Sequence, residues 1–208
     1  RELLLPMLPT QLLWINLVAT VALALPLAFE AREPNVMSRP PRSPQQPVLS
    51  RFVLIRTFVA AVLMTAGAVG LFLWEYLRRL PLVGAPGHET ITHASVTAEA
   101  QTIAVTTVIL FQIFYVLNCR SLRGTLRSIG LFSNPTIFVG IGALLVLQAL
   151  FIYWPPLQRV FGSAALHPID LLWATLVGAI ILPVISIEKR DRNRRAARRS
   201  QGAPERAN

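Results

Sequence analysis

Five apolar runs, each about as long as a bilayer is thick, constrain this sequence more than any other feature. They lie near 12–29, 53–74, 98–117, 136–154 and 169–187, and crossing the hydrocarbon core as a helix takes about 17–25 residues. Lipid offers the backbone no hydrogen-bond partners, so a segment of this kind must satisfy itself as a helix. The chain is accordingly expected to be an all-α polytopic membrane bundle of five transmembrane helices. Composition agrees: charged residues make up 14% of the 208 residues, against about 25% in soluble domains, and the mean hydropathy is +0.53. The third run is the least apolar on inspection, because Thr97, Glu99, Gln101, Thr102, Thr106 and Thr107 crowd its first half. The stretch Ile103 to Leu117 restores it, and Gln112 then becomes a polar group held at membrane depth.

The polar residues between the runs set an orientation. There are 20 Lys+Arg against 10 Asp+Glu, a net charge of +10, an excess that elsewhere suggests nucleic acid. Here the basic residues fall in the gaps and the tail, so no nucleic-acid partner is expected. Arg32, Arg39, Arg42, Arg51 and Arg56 follow the first run, and Arg120, Arg123 and Arg127 follow the third. The tail, 188–208, adds Lys189, Arg190, Arg192, Arg194, Arg195, Arg198 and Arg199. The other side holds mainly Arg78, Arg79 and Arg159, offset by Glu75, Glu89 and Glu99. Cytoplasmic loops carry the Lys/Arg excess. The 31–52 and 118–131 loops and the basic tail are therefore assigned to the cytoplasm, and the N-terminus to the outside. A signal peptide does not account for that placement, since no small-residue cleavage site follows the first run. Further membrane helices before Arg1 do, and they are the expectation. The tail reads as a stop for the last helix, with anionic lipid as an alternative partner.

Between the runs, 31–52 is rich in proline (Pro34, Pro40, Pro41, Pro44, Pro47) and is expected to be extended or turn-rich. Pro81, Gly84, Pro86 and Gly87 mark 80–97 as an external loop, and Pro155-Pro156 is expected to open a short external turn. Cys119 is the only cysteine, which excludes an intrachain disulfide and a thiolate metal cluster. His88, Glu89 and His93 lack the spacing of a zinc site and read as solvated loop.

Two neighbouring stretches carry a family resemblance. Leu8-Pro9-Thr10-Gln11-Leu12-Leu13-Trp14-Ile15-Asn16-Leu17-Val18 is followed by Phe29-Glu30-Ala31-Arg32-Glu33-Pro34-Asn35-Val36-Met37-Ser38-Arg39-Pro40-Pro41-Arg42. Together they resemble the sixth transmembrane helix and following cytoplasmic loop of type II cation-transporting P-type ATPases. That family commonly reads Pro-Leu-Gln-Ile-Leu-Trp-Val-Asn-Leu-Val-Thr-Asp-Gly, then a loop ending Met-x-Arg-Pro-Pro-Arg. Leu110-Phe111-Gln112-Ile113-Phe114-Tyr115-Val116-Leu117-Asn118-Cys119-Arg120-Ser121 looks like its eighth helix and exit. The resemblance covers nearly the whole chain, helices six to ten. It implies the membrane half of an ATP-driven cation pump in a bacterial plasma membrane. The phosphorylation, nucleotide-binding and actuator domains, with ATP and Mg2+, would belong to the rest of the pump. The family's Asp-Lys-Thr-Gly-Thr motif is absent from this sequence, so no catalytic residue is assigned and no cofactor is expected in this chain. The resemblance also implies that Arg39, Pro40, Pro41 and Arg42 form a loop coupling the membrane to the phosphorylation domain.

A hard cation in lipid needs oxygen ligands to replace its water, and locally unwound helices commonly supply them. Asn16 offers an amide oxygen inside an apolar run, Thr20 lies four residues on along the same helix face, and Pro26 is expected to free backbone groups a turn deeper. The resemblance aligns Asn16 with a family asparagine that binds the ion, which makes it the metal-liganding candidate, and aligns Gln112 with a glutamate of some members. The family's Thr-Asp-Gly becomes Ala19-Thr20-Val21, so this half offers only neutral ligands. Three alternatives stay open: packing hydrogen bonds between helices for these side chains, a scaffold protein without a motor, and a pump moving a non-metal cargo.

Overall fold

A computed structural model describes residues 4–29, 51–119 and 135–188. The coupling-loop residues Arg39, Pro40, Pro41 and Arg42, the loop from Arg120 and the basic tail lie outside the described residues.

Five helices of membrane length are present. The first, α1, runs Pro9–Leu27, with a π-helical turn, Ile15–Ala19, between two α-helical pieces. Next come α2 (Arg51–Arg79), α3 (His93–Cys119) and α4 (Pro135–Tyr153). A seven-residue helix, α5 (Pro155–Phe161), precedes α6 (Pro168–Ala179). Helical structure resumes over 181–188 after a turn at Ile180. That turn has a local cause: Pro183 has no N–H to offer the Ala179 carbonyl four residues back. Among the described residues there is no strand.

Proline opens the helices. Pro9, Pro135, Pro155 and Pro168 each occupy the first helical position, where the missing N–H would be unpaired anyway and the fixed φ suits the helix. This corrects the expected turn at Pro155-Pro156, which instead starts α5. The 80–97 loop is also shorter than expected. A 3-10 turn, Leu80–Leu82, extends α2, and α3 begins at His93 because Thr92 and Ser95 cap its first turn reciprocally. The Ser95 N–H donates to Thr92 Oγ1 at 3.2 Å and the Thr92 N–H to Ser95 Oγ at 3.0 Å.

At the centre stands α3. In its most apolar stretch 67% of residues are buried, against 22–33% in the other four spans. It packs along α2 and α6, while α1 packs along α4. The least apolar span is α1 rather than α3, whose second half outweighs its threonines. Close approach in lipid relies on small residues. A Cβ at Gly140 of α4 would strike the Ala22 carbonyl oxygen and lie 2.6 Å from Pro26 Cγ. The carbonyl that Pro26 cannot satisfy is thus directed at α4, where a Cα–H contact can serve it.

The ends of α2, α3 and α6 near α5 are tied by charge. Glu75, with no exposed surface, holds Arg78 (2.6 Å) and Arg79 (2.6 Å) on the next turn of α2. Arg78 reaches Asp170 of α6 at 2.9 Å, and Arg79 reaches Glu99 of α3 at 2.8 Å. Asp170 also accepts the His167 N–H that opens α6, and the Arg78 guanidinium lies 4.7 Å over the Trp74 ring. In the sequence Arg78, Arg79, Glu75 and Glu99 count only toward the charge of one side, although Glu75-x-x-Arg78-Arg79 has the spacing that lets side chains meet on a helix.

A groove between three helices

The first span bends its own hydrogen-bond pattern where the candidate residues sit. The Thr20 N–H reaches back five residues to the Ile15 carbonyl, a π turn, and single π turns inside α-helices recur at functional sites. Asn16 lies within that turn and Thr20 closes it. Both side chains are exposed on the described chain, beside the apolar faces of Leu13 and Leu17.

Gln112 on α3 completes the group. It lines a cavity of about 420 Å³ together with Asn16 of α1 and Thr65 of α2. A second, apolar cavity of about 180 Å³ is lined by Gln112 with Thr20 and Tyr115 among others. Asn16 and Gln112 thus line one cavity and Thr20 and Gln112 another, with Gln112 common to both. The walls are largely apolar, from Met7, Met64, Ala68 and Val108 among others. Oxygens in such a wall are few and placed, the usual make-up of a small-ligand site. Among the described residues, no three His, Cys, Asp or Glu side chains are grouped to hold a metal.

A buried polar chain fixes the near end of the π turn. Trp14, the residue before it, donates its indole N–H to Gln148 Oε1 of α4 at 3.2 Å. The Gln148 amide donates to Thr106 Oγ1 of α3 at 3.0 Å, and the Thr106 hydroxyl donates to the Thr102 carbonyl at 2.7 Å. Thr102 Oγ1 in turn accepts the Ala164 N–H at 2.9 Å. The Trp14 ring is held by Phe151 and Phe161, with centroids 5.1 and 5.0 Å away. One turn earlier Gln11, wholly buried, accepts the Leu8 N–H at 3.0 Å and donates to the Phe161 carbonyl at 3.1 Å. That contact caps the end of α5, where Gly162 takes a left-handed φ of 62° open to glycine. Gln11, Thr65 and Gln148 were not singled out by sequence reading. A lone polar side chain in an apolar run was their only signal.

Comparison with known proteins follows the same lines. Residues 4–190 match the family model described as cation transporting ATPase, C-terminus. "Probable cation-transporting ATPase F" of Mycobacterium bovis is 38% identical over 173 residues, covering 83% of this chain and 17% of that protein. "Calcium-transporting ATPase type 2C member 2" of Mus musculus is 31% identical, over 82% of this chain and 16% of its own length. "Calcium-transporting ATPase" of Bacillus subtilis is 30% identical, over 86% and 18%. The chain thus spans less than a fifth of each of these relatives. With five helices of membrane length and a match over residues 4–190, it is an integral membrane chain and belongs to the C-terminal membrane region family of cation-transporting P-type ATPases.

Proposed function

We propose that this chain forms part of the cargo path of an ATP-driven cation pump, with Asn16, Thr20 and Gln112 as neutral oxygen ligands. The observation that carries the reading is the π turn holding Asn16 and facing the same groove as Gln112. Amide and hydroxyl oxygens donate lone pairs to a hard cation without the cost of an intramembrane carboxylate, about 2.5–3.5 kcal/mol at helix centre. Charge compensation then falls to helices outside this chain. Rocking of α1 against α3 alters how many of these oxygens face the ion at once, which is how such a groove bind and release alternately.

The rest of the assignment follows the same reading. Phosphorylation, nucleotide-binding and actuator domains, using ATP and Mg2+, drive the motion from the preceding part of the pump. Arg39, Pro40, Pro41 and Arg42 couple them to α1 and α2, by pairing the two arginines with carboxylates of the phosphorylation domain. The α5 end faces outward and the basic tail inward, in a bacterial plasma membrane.

The test is Asn16→Ala in the full-length pump, assayed by ATP-dependent cation uptake into inverted vesicles. A rise of about tenfold in the half-saturating cation concentration, equal to about 1.4 kcal/mol, is expected. An unchanged value would assign Asn16 to packing and remove the reading.

A further inference from the structure

We propose that Gln148 of α4 is a positioning residue for the transported cation: through the Trp14 indole it pins the π turn at Ile15–Ala19, and so sets where Asn16 presents its amide. The inference rests on the reading of Asn16 as a ligand.

A π turn spends one residue more than an α turn on the same stretch of helix. At 3.6 residues per turn, that extra residue rotates what lies on one side of it by about 100° relative to the other. Its position therefore decides which side chains of α1 point at which neighbours. The pattern is α-helical at the Ile15 N–H, which reaches the Gln11 carbonyl, and π at the Thr20 N–H, which reaches the Ile15 carbonyl. Trp14 is the last residue before the change. If the extra residue slipped past it toward the N-terminus, the Trp14 side chain would swing by about 100°. It would then leave Gln148, Phe151 and Phe161 together. Stacked rings tolerate sliding, whereas the bond from the indole N–H to Gln148 Oε1 at 3.2 Å is directional.

Gln148 can hold that direction because its own amide is oriented. The Thr106 hydroxyl gives its proton to the Thr102 carbonyl at 2.7 Å, so Thr106 Oγ1 is left as an acceptor and takes the Gln148 amide N–H at 3.0 Å. A flipped amide would set its NH2 against the indole N–H, donor facing donor, in a place where both side chains are buried. The chain of bonds thus has one consistent polarity from α1 through α4 to α3. Thr106 and Gln112 share α3, so Gln148 relates the start of the π turn on α1 to the helix that carries the other candidate ligand.

Gln148→Leu removes the amide, and Trp14→Phe removes the indole N–H while keeping an aromatic ring beside Phe151 and Phe161. Both, their double variant and Asn16→Ala are made in the full-length pump. ATP-driven uptake is titrated with whichever of Ca2+, Na+ and K+ the parent transports. Loss of stability alone lowers the amount of active pump and its maximal rate, but not the half-saturating concentration of the molecules that remain. Expected is a half-saturating concentration raised about fivefold by each single variant and no further by the double, because both cut the same link. Asn16→Ala shifted, with Gln148→Leu and Trp14→Phe both within about twofold of the parent, would overturn this inference and leave the cargo path standing. A shift in one of the two without the other, or losses that multiply in the double variant, would show that they act by separate routes and sink the proposal. With Asn16→Ala unchanged, both readings fall. Should Gln148→Leu accumulate poorly, Trp14→Phe decides alone under the same criteria.

Discussion

At the scale of single residues, Gln148 shows how much a buried amide contributes. Both ends of its side chain are engaged, to Trp14 and Thr106, and 4% of its surface is exposed. Interhelical hydrogen bonds in membranes average about 0.6 kcal/mol, with larger cases near 2. Gln148→Leu should therefore lower stability by about 1–2 kcal/mol, read as a fall in the melting temperature of the detergent-solubilised pump. Gln148→Met of similar length should do the same, and parent-like melting of both would show the chain of bonds to be idle. Sequence alone made Asn16, Thr20 and Gln112 visible, because a polar side chain in an apolar run stands out against its neighbours. It did not reveal that Gln112 borders one cavity with Asn16 and another with Thr20, since which helix faces which is a tertiary fact.

Elements bring a different kind of constraint, because α1 must stay close to α4 while its π turn faces away into the groove. Gly140 makes that approach possible, since any Cβ there would strike the Ala22 carbonyl and Pro26. Backbone atoms cannot move aside as a flexible side chain can. Gly140→Val should separate the two helices and cost about 2 kcal/mol or more, the range of overpacking in a close-packed interior. Reduced accumulation and a lowered melting temperature would check it, and parent-like behaviour would count against the close contact. The clamp at the other end makes a second forecast. Glu75 is buried and holds both Arg78 and Arg79, so Glu75→Ala takes one of two carboxylates from each guanidinium, leaving Arg78 with Asp170 and Arg79 with Glu99. Losing one member of a buried pair costs about 3–5 kcal/mol; Arg78, 40% exposed, places this case at the lower end. Equal stability of Glu75→Ala and the parent would show solvent doing the carboxylate's work. Helix existence was legible from apolar runs, whose length fixes them. Helix ends were less so: α5 hid behind a Pro-Pro pair that reads as a stop but also suits a first turn, and α3 gained a turn from the Thr92–Ser95 cap.

For the whole molecule, orientation and cargo path are the claims to test. On the proposed orientation, which rests on the uneven spread of arginines along the sequence, the α5 end lies outside. Ala165, exposed in the loop before α6, should accept a membrane-impermeant thiol reagent from the outside of intact cells when changed to cysteine in a background without other cysteines. Labelling only after the membrane is opened would invert the topology. The groove is the larger claim, since it joins residues from separate helices into one ion site. A double-mutant cycle of Asn16→Ala and Gln112→Ala in the full-length pump, read as the half-saturating cation concentration, tests it most directly. If both side chains hold the same ion, the double variant loses less than the two single losses combined, with a coupling of about 1 kcal/mol. If the two losses simply multiply, Asn16 and Gln112 act apart and the groove is not one site.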